Sequence, residues 1–140
     1  MLGPRGAKAK GATAERELAA VLTGWAKDAG ITIALFRNLE QTRSGGHDLV
    51  GTEKYGMAIE VKRVEALAMP SWWRQAVRQA AALEGCDPVL AWRQNHKPWR
   101  FRVRAYVWPC NVPMVLDMDA DEFRKWFLSK IAVAKPSITE

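Results

Sequence analysis

The sequence predicts a mixed α/β domain in which helices pack on a central β-sheet, and three observations predict it. Apolar residues recur at helical spacing over 13–28 and again over 70–84. Between and after these stretches lie short runs of β-branched and aromatic residues bounded by Gly, Pro and Asn. A last helical segment follows a capping signal at Asp119. The resulting order, α-β-β-β-α-β-β-α, is that of a sheet covered by helices. With 140 residues the chain has room for one domain and a substantial core.

Residues 1–12 carry Pro4, small residues and the cations Arg5, Lys8 and Lys10. Nothing there can bury surface, so they read as a flexible basic arm. Thr13 caps a helix that runs to about Asp28, with Gly30 as its stop. Its buried stripe is Ala14, Leu18, Val21, Leu22 and Trp25. Ile31–Phe36 is a short apolar strand, and Asn38–Gly46 a polar loop. His47–Val50 and Met57–Lys62 form two strands joined through Gly51–Gly56. Pro70 and Ser71 open a second helix that extends to about Glu84 and stops at Gly85. Val89–Arg93 is a strand, Gln94–Pro98 a turn, and Trp99–Val107 a strand with strict alternation. Pro109 and Pro113 then break the chain. Asp119, with Glu122 three residues on, starts the final helix, Ala120–Ala132. Residues 13–134 thus form one domain and 135–140 a short frayed tail.

The 21 Lys and Arg against 15 Asp and Glu leave a net charge of +6, which favours a polyanionic partner such as nucleic acid. An apolar content of 49% excludes wholesale disorder. Two cysteines, Cys86 and Cys110, are too few for a disulfide framework or a zinc site and fit reduced thiols in a cytoplasmic protein. No apolar run approaches the roughly 20 residues of a membrane span, and the N-terminus lacks the apolar core of a secretory signal. His47 and His96 have no metal-ligand spacing.

The chemistry concentrates in Ser44-Gly-Gly-His-Asp48-Leu-Val50 and Ile59-Glu60-Val-Lys62. Side chains alternate along a strand, so Glu60 and Lys62 share one face while Ile59 and Val61 point into the core. If the two strands pair through the Gly51–Gly56 turn, Asp48 comes opposite the Glu60/Lys62 end. Two carboxylates suit Mg²⁺, with Mn²⁺ as a substitute, because both are hard cations that prefer oxygen. Such an ion polarises a phosphodiester and helps generate hydroxide from water, and a neighbouring lysine neutralises charge in the transition state. The plainer alternative is a solvated strand face with a cross-strand ion pair. Ile59 and Val61 argue instead for a central strand, where paired charges need a reason. Glu15 and Glu17 flank the stripe of the first helix, with Glu15 closer to its apolar centre. Both also suit the positive end of the helix dipole.

Together these residues resemble the PD-(D/E)xK nuclease superfamily, and within it the archaeal-type Holliday-junction resolvases and their phage-borne relatives. Lys10-Gly-Ala-Thr-Ala-Glu15-Arg-Glu-Leu18 is similar to the opening Lys-Gly-x-x-x-Glu-Arg-Glu-Leu of that family. Ser44 to Val50 is similar to Ser-x-x-x-Asp-Leu-Val, and Ile59–Lys62 to Ile-Glu-Val-Lys. Pro88-Val-Leu-Ala and Trp99-Arg-Phe101 look like the later strand pair, so the likeness spans roughly residues 10–102. It implies a restriction-endonuclease-like core. It also implies metal or catalytic duties for Glu15, Asp48 and Glu60, a catalytic lysine in Lys62, and Ser44 close to the scissile phosphate. A glutamine on the second helix often positions water or phosphate in the superfamily, which singles out Gln75; a polar helix face is the alternative. The chain departs from the pattern at the superfamily's nominal proline, which is His47 here, and in the phage-like Trp72-Trp73-Arg74-Gln75.

DNA contacts are expected from Arg5, Lys8 and Lys10, from Arg37, Arg43 and Arg63 around the site, and from Arg100 and Arg102 on one strand face. For that last row the alternative is protection of a sheet edge by charge. No base-reading motif is visible, so recognition should follow shape and phosphates. The resulting expectation is a Mg²⁺-dependent, structure-selective DNA endonuclease, a Holliday-junction resolvase that makes paired nicks in four-way junctions as a homodimer. It would work in the cytoplasm, the host's if the gene is phage-borne. The rivals are a related nuclease acting on forks, flaps or single strands, and a nuclease-dead DNA-binding accessory protein.

Overall fold

The computed structural model describes residues 4–39, 48–63 and 66–133, with side chains from residue 12 onward. Among these, three α-helices surround a mixed four-stranded sheet, beside a separate two-stranded ribbon. The expected tail at 135–140 lies outside the described residues, as do residues 40–47.

Helix α1 runs Pro4–Asp28. The start expected at Thr13 is therefore nine residues too late, and residues 4–12 continue the helix rather than form a separate arm. Ala and Lys favour helix, and Pro4 occupies the first position, where its missing N–H is harmless. Ala14, Leu18, Leu22 and Ala26 are buried on its inner face, with Trp25 packed at the side. The helix closes where the Ile31 N–H reaches the Ala26 carbonyl, a wrap that needs the positive φ of 79° at Gly30.

From Ile31 the chain is extended, but only β1 (Phe36–Arg37) is paired, antiparallel to β2 (Leu49–Val50). The strand expected over Ile31–Phe36 is thus mostly unpaired. Its alternation reflects Ile33 packing into the core, and side-chain burial does not say which backbone lies alongside. Gly51 follows with φ of 120°, and a Cβ there would stand 2.1 Å from the Ala34 carbonyl oxygen, so this crossing admits only glycine.

β3 (Met57–Arg63) pairs in parallel with β4 (Asp87–Arg93), and α2 (Met69–Ala81) is the crossover between them. α2 stops one turn short of the expected Glu84. β5 (Arg100–Val107) joins β4 antiparallel, and β6 (Val112–Asp119) joins β5 antiparallel. β6 was not expected. Its one proline, Pro113, is tolerable because it is an edge strand, and all its residues but Met118 are exposed, so no burial alternation marks it. α3 (Ala120–Val133) begins with a reciprocal cap, Glu122 N–H to Asp119 Oδ1 at 2.7 Å and Asp119 N–H to Glu122 Oε1 at 2.9 Å.

One sheet face carries Ile59, Val61, Val89, Ala91, Phe101 and Val103 beneath α1 and α3. Phe101 stacks on Phe123 with ring centroids 3.9 Å apart. The other face carries Ala58, Leu90 and Trp92 against Trp72, Ala76 and Ala80 of α2. β3 is not a central strand of this ladder; it stands at the end opposite β6. Its flank is covered instead by Asp48, whose N–H donates to the Ile59 carbonyl at 2.9 Å. No helix among the described residues is long and apolar enough to cross a membrane.

Candidate active site

The flank of β3 is where the charged residues meet. Asp48, just ahead of β2, turns its carboxylate onto the strand, where Oδ2 accepts the Val61 N–H at 2.6 Å. The convergence expected of Asp48 with the Glu60 end is therefore present, but a side chain makes the contact that an extended ladder was expected to make. Glu60 and Lys62 share the face that looks toward α2, as alternation requires, and Lys62 Nζ sits 3.0 Å from Glu60 Oε2. Glu60 Oε1 is buried with no hydrogen-bond partner among the described residues. α1 brings Glu15 to the same flank, where Arg37 of β1 donates to its Oε1 at 2.8 Å.

These three carboxylates are almost wholly excluded from water, Glu15 and Asp48 at 6% exposure and Glu60 at 3%. Burial, and then the charge of Glu60, push the Asp48 carboxyl up to about 8, against the pull of the Val61 N–H. Glu60 is raised as well, by burial first, with Lys62 opposing. Glu15 adds a further negative charge to both. Carboxylates crowded in this way disfavour one another's ionised form, and a cation placed between them relieves the conflict.

An unpartnered Glu60 oxygen beside the Asp48 carboxylate is an all-oxygen donor pair. It fits a hard divalent ion that keeps most of its own water shell. No group of three or more His, Cys, Asp or Glu stands in metal-ligating geometry among the described residues. Glu15, bonded to Arg37, lies next to the pair.

Of the other expected residues, Ser44 and Arg43 lie outside the described residues. Arg5, Lys8 and Lys10 fall in the first turns of α1, where side chains are not described. Gln75 is half-buried on α2, while Gln79, one turn on, holds a buried side-chain oxygen without a partner among the described residues, the feature a polar positioning role would need. The resemblance singles out Gln75, whereas the unpartnered buried oxygen belongs to Gln79.

The basic row on β5 is less available than its pattern implied. Arg102 makes a two-pronged bond to Asp117 of the unexpected β6, at 2.5 and 3.0 Å, and Arg104 bonds Asp87. Arg100 stands near the same Asp117 charge. Reasoning from sequence missed a further cluster altogether: Glu17 accepts from Arg63 and Arg93, each at 3.0 Å, tying α1 to the ends of β3 and β4. The only hint was Glu17 flanking the α1 stripe.

Residues 6–132 match the family described as "Phage putative PDDEXK endonuclease". Among solved structures, the chain is similar to Hjc of Archaeoglobus fulgidus, a Holliday junction resolvase from an archaeal hyperthermophile. The identity is 21%, the TM-score 0.50, and the match covers 81% of this chain and 97% of that one. No curated protein matches the sequence. The likeness to Hjc is one of fold, the α/β nuclease architecture into which the Asp48, Glu60 and Lys62 positions are built.

Proposed function

The chain belongs to the phage PDDEXK endonuclease family, and from that premise we propose that it is a divalent-metal-dependent, structure-selective DNA endonuclease acting on four-way junctions. The observation that carries this reading is the buried Asp48–Glu60 pair with Lys62 held at 3.0 Å and one Glu60 oxygen unpartnered. Asp48 and Glu60 would hold Mg²⁺, for which Mn²⁺ substitutes. When bound, the ion polarises the scissile phosphate and lowers the pKa of water.

The side chains divide the remaining work. The Val61 N–H fixes the Asp48 carboxylate against rotation, so its outer oxygen keeps one direction. Glu60 holds the Lys62 ammonium where it can donate to a phosphate oxygen and offset negative charge as the bond to the incoming oxygen forms. Arg37 holds the Glu15 side chain at the flank through its 2.8 Å bond to Oε1. The net charge of +6 favours association with the phosphate backbone. Paired incision of a four-way junction calls for two such sites, hence a homodimer, and the likeness in fold to a resolvase supports that choice of substrate.

The test is a panel of an immobile four-way junction, a fork, a flap, a matched duplex and a single strand of equal length, with and without Mg²⁺. Symmetric nicks in the junction alone, and only with metal, support the proposal. Cleavage of forks, flaps or single strands in preference to the junction moves the function to another nuclease of the family. Junction binding without cleavage under any divalent ion would leave a DNA-binding accessory protein as the better account.

A further inference from the structure

Between α1 and α3, over the end of β4, lies an open cavity of about 570 Å³ whose lining includes Glu17, Ala20, Trp25, Arg93, Pro98 and Trp99. Its walls are flat and firmly held. Trp25 packs against Phe101, Phe123 and Phe127 with ring centroids 6.4–6.5 Å away, and Trp99 stacks on Phe101 at 6.4 Å. The rim is polar and carries both signs. Glu17, whose side chain is one-third exposed, accepts from Arg93 on one side and Arg63 on the other. Arg63 directly follows Lys62, and its Nε is buried with no partner among the described residues. The cavity therefore opens at the C-terminal ends of the parallel pair β3 and β4, the end of an α/β sheet where ligands gather.

We propose that this cavity receives a single nucleobase turned out of the stack of the bound DNA, a reading that rests on the nuclease function proposed above. Three features select that occupant. Indole and proline faces stack on any base, because every base has a π-face. A carboxylate beside guanidinium groups matches the mixed edge of a base, whose exocyclic amine donates while its ring nitrogen or carbonyl accepts. The same arginines supply charge complementary to the phosphates on either side of the extruded base, and the volume falls in the range of small-ligand pockets. A purely apolar guest would leave the charged rim unused. Extrusion is least costly where pairing is already disturbed, so the cavity adds selectivity for branched or gapped DNA over matched duplex without reading sequence.

The experiment uses the full chain in EDTA, so that no strand is cut, and a gapped duplex carrying 2-aminopurine in its single-stranded stretch. The wild type should quench the probe on binding. Ala20→Phe places a ring in the cavity from an exposed position of α1. It should abolish the quench and weaken binding of the gapped DNA roughly tenfold, while matched-duplex affinity stays within about twofold. A folded Ala20→Phe protein that still quenches the probe with unchanged affinity overturns the proposal. Should that variant fail to fold, Val21→Met fills the cavity from the next position and is judged by the same two readouts. Cleavage by the wild type together with an unaffected filled variant overturns the base pocket alone. A wild type that binds no DNA at all overturns both this proposal and the nuclease reading.

Discussion

Asp48→Asn should make the metal-free protein more stable while abolishing cleavage. Asparagine can still accept the Val61 N–H through its carbonyl and can donate its amide toward Glu60, so the geometry at β3 survives and one buried charge disappears. The sign follows from the direction of the shift. The Asp48 carboxyl is raised from 3.8 to about 8. Ionising it therefore burdens the folded state increasingly as pH climbs through that interval, and not at all below it. At about 1.36 kcal/mol per pKa unit, the fully ionised group would cost the fold at most roughly 5–6 kcal/mol. Asparagine remains a buried polar group and Glu60 readjusts, so the recoverable part is about 2 kcal/mol, a rise in Tm of roughly 5–8 °C. The assay is thermal melting in EDTA at pH 4, 7 and 8.5. The variant should lead clearly at pH 8.5 and fall back to the wild-type value at pH 4. Added Mg²⁺ should raise the wild type and leave the variant where it was. A variant less stable than the wild type at pH 8.5 would refute the reasoning, because it would mean that the Asp48 charge holds the flank together instead of straining it.

Three further outcomes follow from the same structure. Lys62→Met keeps the aliphatic stem and removes the ammonium beside Glu60, so cleavage should drop by about 10²–10³ with junction binding retained, as measured by single-turnover kinetics and gel shift. Gly51→Ala forces a Cβ to within 2.1 Å of the Ala34 carbonyl oxygen at a φ of 120°, so stability and cleavage should be lost together; a variant with wild-type Tm would contradict the crossing. Asp119→Ala removes one arm of the α3 cap and should lower stability by about 1 kcal/mol, read as a Tm decrease of a few degrees with the cleavage rate of the folded protein unchanged.

Much of this molecule is legible along the chain because it is encoded by contacts between near neighbours. The α1 stripe, the stop at Gly30, the Asp119–Glu122 cap and the shared face of Glu60 and Lys62 all follow from periods of 3.6 and 2 and from capping chemistry within three or four residues. The family's motifs are short and lie on those same elements, so Asp48, Glu60, Lys62 and Glu15 could be singled out before any fold was in hand. What the sequence could not decide is partnership across long separations. β6 escaped notice because an edge strand exposed on both faces has no burial pattern, and with it went Asp117, the carboxylate that occupies Arg102. The place of β3 at the end of its ladder, the Arg37 bond to Glu15 across 22 positions and the Arg93 bond to Glu17 across 76 depend on how sheet and helices close. Local sequence sets which face of an element is apolar or charged, whereas the tertiary structure sets which charges are brought together and stripped of water, and only that desolvation pushes the neighbouring Asp48 and Glu60 carboxyls above their ordinary values.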